Sequence, residues 1–178
     1  MSVRRGVDTA GFVAGLFLGG VATAMALVVL GSLVRAPIPA PARPWLVAVA
    51  AAALLAREIG LLRFKVPQNA RQVPQFVTRV PFWGAMQFGT EMGTGMRTYS
   101  PTGLPHVVAL GLLLTAGWSD ALLAGLGFAA GRALMTLTFL SVPDREEAGQ
   151  AFLTRIAQLR WLFAGLTLAG VASILTGG

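Results

Sequence analysis

Residues 80–118, VPFWGAMQFGTEMGTGMRTYSPTGLPHVVALGLLLTAGW, are apolar at both ends and broken in the middle. The centre holds Glu91, Arg97 and His106 among Gly89, Gly93, Gly95, Pro101 and Pro105, inside an apolar run too long for one simple crossing. Helix breakers and ionisable groups are costly at membrane depth. They survive where protein or trapped water satisfies the freed backbone. This stretch is therefore the candidate site.

Composition sets the solvent around it. The chain has 178 residues, 55% apolar and 12% charged, with a mean hydropathy of +0.70. A soluble domain is nearer about 45–50% apolar and about 25% charged. The expectation is an all-α integral membrane bundle forming one transmembrane domain over residues 1–178, with no room for a sizeable soluble domain. The net charge of +7 would suggest nucleic acid in a soluble protein. Here the basic residues flank apolar runs, which is the pattern of membrane orientation and anionic headgroups, so lipids rather than nucleic acid are the expected partners. The chain has no cysteine and one histidine. Thiol chemistry is excluded, and neither a metal nor a cofactor is expected.

Upstream, Arg4 and Arg5 precede the apolar run 10–34, which is too long for a typical signal-peptide core and predicts a retained first span. Gly11, Gly15 and Gly19 recur every fourth residue there and make a smooth face for a neighbouring helix. Residues 35–44, RAPIPAPARP, carry four prolines and predict a stiff connection. The second span is expected over 45–62. Arg57 and Glu58 close it, pointing in different directions; Arg57 can reach the headgroups, and Glu58 is a candidate for lining the site. The basic segment 63–79 and Arg4–Arg5 both read as cytoplasmic, placing the N-terminus inside an inner membrane.

Downstream, Ser119 or Asp120 can cap the run 121–140, in which Arg132 sits at span depth and requires a carboxylate, a carbonyl or water. Glu91 is the first candidate partner and Glu58 the second. After Pro143 and Asp144, residues 145–159 predict an amphipathic segment with Phe152, Ile156 and Leu159 on one face, lying along the headgroups. Arg160 and Trp161 then introduce a last span over 162–175. Charge bias favours five spans with a broken third; the length of 80–118 leaves six as the alternative.

Within the centre, Gln87, Glu91 and Thr94 share a helical face, Gly89 and Gly93 form a small-xxx-small pair, and Thr90, Thr94 and Thr98 recur every fourth residue as a possible polar stripe. Gly95, before Met96 and Arg97, lets the backbone unwind as discontinuous transporter helices do. Leu104–Pro105 restarts a second half-helix with His106 in its first turn. The candidate substrate-binding set is Gln87, Glu91, Thr94, Arg97, His106, Arg132 and Glu58. A purely architectural reading, in which Glu91 neutralises Arg132 or Arg97 and the glycines only pack, uses the same residues.

The pattern Gly84, Phe88–Gly89, Gly93–Thr94–Gly95, then Pro105 and Gly125–Leu126–Gly127–Phe128 with Gly131–Arg132–Ala133–Leu134, resembles the later half of the CcdA and DsbD transmembrane family. It is also similar to MauE-like membrane proteins. The resemblance covers residues 80–140 and implies a bundle with broken helices. That family carries reducing equivalents on a cysteine pair; its second Pro-Cys would fall near Gly95, Met96 and Arg97, where no cysteine stands. The fold is implied and the redox activity is contradicted.

Three functions follow. The first is a small transporter or transport-associated subunit, homo-oligomeric or in a membrane complex, taking a polar or ionic solute. The second is an intramembrane enzyme of the isomerase or cyclase type on a lipophilic substrate, with Glu91 as general acid or base. The third is a non-catalytic assembly partner of a larger complex. No phosphate loop or nucleophile elbow is present, which argues against ATP hydrolysis and common hydrolase chemistry.

Overall fold

The computed structural model describes residues 2–65, 80–95, 103–141 and 145–176. Among the described residues there are six helices and no strand: α1 (Ser2–Val34), α2 (Ala42–Glu58), α3 (Trp83–Gly93), α4 (Leu104–Leu114), α5 (Trp118–Ser141) and α6 (Arg145–Thr176). Gly6–Val34 in α1 and Trp118–Thr138 in α5 are long and apolar enough to cross a membrane. In contrast, α3 and α4 have 11 residues each, or about 16 Å at the helical rise. Neither helix is long enough to cross a membrane alone.

Two boundaries differ from expectation for local reasons. Helix α2 starts at Ala42 rather than after the proline-rich connection, with Pro41 at its N-cap. Pro44 then falls in the first turn, where a missing N–H leaves no bond unmade. The helix ends at Glu58 rather than Leu62 because Gly60 adopts φ +84°. The Gly60 N–H donates to Arg57 C=O (3.1 Å) and the Leu61 N–H to Ala56 C=O (2.8 Å), the paired bonds of a Schellman turn. Helix α6 is one continuous 32-residue element across Arg160–Trp161. The expected amphipathic segment and last span have no helix-breaking residue between them. The basic segment 66–79 and the Pro143–Asp144 break lie outside the described residues, as do the side chains of Phe152, Ile156 and Leu159.

The chain divides into two compact units that interleave along the sequence. The first contains α1 as far as Ala26, α3 and Trp118–Thr138 of α5. In it, Gly11, Gly15 and Gly19 press against the backbone of α3. A Cβ on Gly11 would stand 2.5 Å from Phe82 O; one on Gly15 would overlap Met86 O, and one on Gly19 Thr90 O. The approach is reciprocal, since Gly89 and Gly93 abut the carbonyls of Phe12 and Leu16. Residue numbers rise together on the two helices, so α1 and α3 run parallel. On another part of α1, Gly20 faces Gly125 and Ala129 of α5. Leu16, Ala129 and Ala133 form the buried core there, with Phe12, Phe17 and Met92 packed around it.

The second unit contains α1 from Leu27, α2, α4 and α6. Val47, Ala51 and Leu54 of α2, Val107 and Leu114 of α4 and Val171 of α6 make its core. The start of α4 lies at the end of α2, where Gly103 meets Leu54 and Glu58, so these helices run antiparallel. In both cores the buried side chains are mostly small or medium. The largest apolar ones point outward, among them Leu33 (72% exposed), Leu123 (69%) and Trp161 (69%).

The glycine seam makes a sign prediction. Gly15→Ala and Gly89→Ala should each destabilise by about 1–3 kcal/mol, the cost of overpacking. Gly127→Ala and Gly131→Ala, which have open space around them, should stabilise by up to about 1 kcal/mol through helix propensity. Thermal melting of the four variants in detergent reads both signs; equal behaviour would disprove the seam.

Candidate functional site

Helix α3 begins on an unusual turn. Phe82 has φ 60° and ψ −61°, and the Trp83 N–H donates to Pro81 C=O at 2.7 Å, which is the rare and strained γ-turn. Asp8 of α1 holds it by accepting the Phe82 N–H on Oδ1 at 3.0 Å. A carboxylate at that end complements the positive end of the helix dipole. Sequence reading passed over Asp8 as part of the basic N-terminal segment.

The predicted polar face of α3 is placed unevenly. Gln87 is exposed, whereas Glu91 and Thr94 are half-buried. The threonines do not form an outward row of donors: Thr90 Oγ1 donates to Met86 C=O (2.9 Å) and Thr94 Oγ1 to Glu91 C=O (2.7 Å). Such back-bonding is the local alternative that β-hydroxyl side chains offer a helix. The helix stops at Gly93, and Gly95 turns the chain with φ +70°. A side chain there would be strained by that φ and crowded as well, since a Cβ on Gly95 would lie 3.2 Å from Phe128 Cζ. One turn further along α5, Arg132 stacks its guanidinium 5.4 Å from the centre of that ring. Half-buried Arg132 thus shares Phe128 as a neighbour with the end of α3, the pole that favours a cation. Arg97 and Thr98 lie outside the described residues.

Helix α4 is held at both ends within the second unit. At its start Glu58 Oε1 accepts the Gly103 N–H (2.8 Å) and Arg57 Nη1–H (3.1 Å), with the Glu58 side chain 12% exposed. Arg57 and Glu58 are therefore an ion pair, contrary to the expectation that neighbours on a helix point apart. The reason is the turn at Gly60. It folds the following chain back so that Arg57 Nε donates to Phe64 C=O at 2.8 Å, and the guanidinium is held beside Glu58 instead of reaching away. Gly103 also accepts the His106 N–H (3.0 Å), so its two backbone groups link Glu58 to the first turn carrying His106. His106 is half-buried, with Nδ1 fully so.

At the other end, Arg35 Nη1 donates to Ala116 C=O (3.0 Å) and Nη2 to Val28 C=O (3.2 Å). Arg43 donates to Ile38 and Arg35 carbonyls, both at 3.0 Å. Through these bonds the two arginines tie the end of α1 and the connection after it to the carbonyl just beyond α4. The proline-rich reading of 35–44 missed them, although arginine directly after an apolar helix is a recognisable stop signal.

The predicted site residues thus fall into two groups. Glu91, Thr94 and Arg132, with exposed Gln87, belong to the first unit; Glu58 and His106 belong to the second. Among the described residues no group of three His, Asp or Glu side chains could hold a metal ion. No protein-family model matches the chain, and none of the curated proteins or solved structures compared with it matches either.

The Glu58 cap separates charge from hydrogen bonding. Glu58→Ala should cost about 0.5–2 kcal/mol, as loss of a helix N-cap does. Glu58→Gln, which retains an acceptor oxygen for the Gly103 N–H, should recover a good part of it. Chemical denaturation in mixed micelles compares the two, and equal losses would mean that the carboxylate does not cap α4.

Proposed function

We propose that the chain is a small polytopic inner-membrane protein with five spans, the third broken into α3 and α4, serving as a transporter or transport-associated subunit for a polar or ionic solute. The observation that carries this reading is the break itself. One 11-residue helix ends at Gly93 and another starts at Leu104, an interruption of the kind at which discontinuous transporter helices bind their solutes.

Three features support the membrane setting. Many large apolar side chains face outward while the cores hold alanine, valine and a few leucines, the arrangement expected when the solvent is lipid. Two helices have spanning length and hydropathy. Charge bias, with Arg4, Arg5 and the basic segment 63–79 on one side, favours five spans over six. Arg4 and Arg5 put the N-terminus on the cytoplasmic side.

The resemblance to CcdA, DsbD and MauE-like proteins agrees with a broken helix. With no cysteine in the chain, the thiol relay of that family is not proposed. Glu91, Thr94 and Arg132 of the first unit are the groups proposed to meet the solute.

The absence of cysteine also supplies the test. Thr94→Cys, introduced as the sole thiol, should react in sealed vesicles with a small water-soluble methanethiosulfonate, because a solute path is wet. Nanodisc preparations of the wild type should carry a defined polar small molecule, detectable by mass spectrometry, that Glu91→Gln loses. A thiol inaccessible to the reagent together with an empty wild type would transfer the assignment to the enzyme or assembly-partner class.

A further inference from the structure

The end of α2 carries a second feature, on the turn and tail that follow it. After the Schellman turn at Gly60, residues 61–65 run back beside the helix they have just left. Arg57 fixes them by its bond to Phe64 C=O (2.8 Å) and by lying 5.8 Å from the Phe64 ring centre. The result is an open cleft of about 620 Å³ lined by Arg57, Glu58, Leu62, Arg63, Phe64 and Lys65.

Its charge is unbalanced. The single carboxylate is already engaged by Arg57 and the Gly103 N–H, while Arg63 and Lys65 are exposed. Around these cations stand exposed apolar side chains: Ile59, Leu61, Leu62 and Phe64. In water, such a concentration of exposed apolar surface within one turn and tail would be unfavourable. At a bilayer interface the same alternation is stable, with the apolar groups among acyl chains and the cations at phosphate depth.

We propose that this cleft is a binding site for the headgroup phosphate of an anionic phospholipid, contacted by Arg63 and Lys65, with Arg57 as the preset wall and the neighbouring leucines and Phe64 along the acyl chains. Gly60 is the positioning residue, because its left-handed backbone turns the basic tail back onto the helix. The inference rests on the membrane reading and not on transport. A chain that does not enter bilayers defeats that reading, whereas one that enters without lipid preference defeats only this site.

The experiment is native mass spectrometry of the whole protein released from nanodiscs containing equal phosphatidylglycerol and phosphatidylcholine. The wild type should retain phosphatidylglycerol preferentially. Each of Arg63→Gln and Lys65→Gln should lower that preference about fivefold, the effect of one basic residue near an anionic surface. Arg4→Gln/Arg5→Gln, which removes the same charge outside the cleft, should lower it less than the Arg63→Gln/Lys65→Gln double variant does. Equal retention by wild type and the Arg63→Gln/Lys65→Gln double variant would overturn the site. So would displacement of the retained lipid by millimolar inorganic phosphate, which would identify a free-anion site instead.

Discussion

The close approach of α1 and α3 is the contact on which the remaining arrangement of the first unit depends. Helix α3 has only 11 residues, and an isolated helix of that length is marginal even in a good sequence. It is held because five glycines, three on α1 and two on α3, bring backbone against backbone along a parallel seam. With lipid as the solvent, this is where packing energy would be available, since lipid would remove the hydrophobic drive between helices and leave van der Waals contact to decide. Glycine is a poor helix former, so the seam carries a local cost of about 1 kcal/mol per residue relative to alanine. Close packing offsets it.

The same short helices create a second constraint. Every helix leaves four N–H and four C=O groups without intrahelical partners, and a chain broken inside an apolar stretch has extra ends to satisfy. In each unit a carboxylate from a long helix meets the first N–H of a short one: Asp8 on Phe82 and Glu58 on Gly103. Arg35 answers the Ala116 carbonyl at the far end of α4, and Arg43 the Ile38 and Arg35 carbonyls of the connection after α1. These are the sites where anions and cations gain most from the helix dipole. Much of the charge on the chain is thereby used to finish helices, which is why Glu58 and Arg57 are architectural as well as candidates for function.

The break could be read from the sequence because its causes are local. Gly93, Gly95, Pro101 and Pro105 interrupt any regular helix over that stretch, and two short helices stand on either side. The polar stripe of threonines was a weaker reading, because a hydroxyl on a helix has a carbonyl of the preceding turn within reach whatever the periodicity suggests. Arg57 and Glu58 were taken apart by helical geometry and brought together by a turn beyond the helix, at Gly60.

The sequence by itself determined the helical class, the apolar runs, the smooth face of α1 and the position of the break, since each follows from residue type and short-range spacing. Tertiary structure alone decided which surface fills the face of α1, which carboxylate serves which helix end, and how the candidate residues divide between two units. The physical reason is separation along the chain. Asp8 acts 74 residues from its origin, Arg35 acts 81 and Glu58 acts 45. No periodicity reports which helix ends will lie side by side, and that depends on how the helices pack.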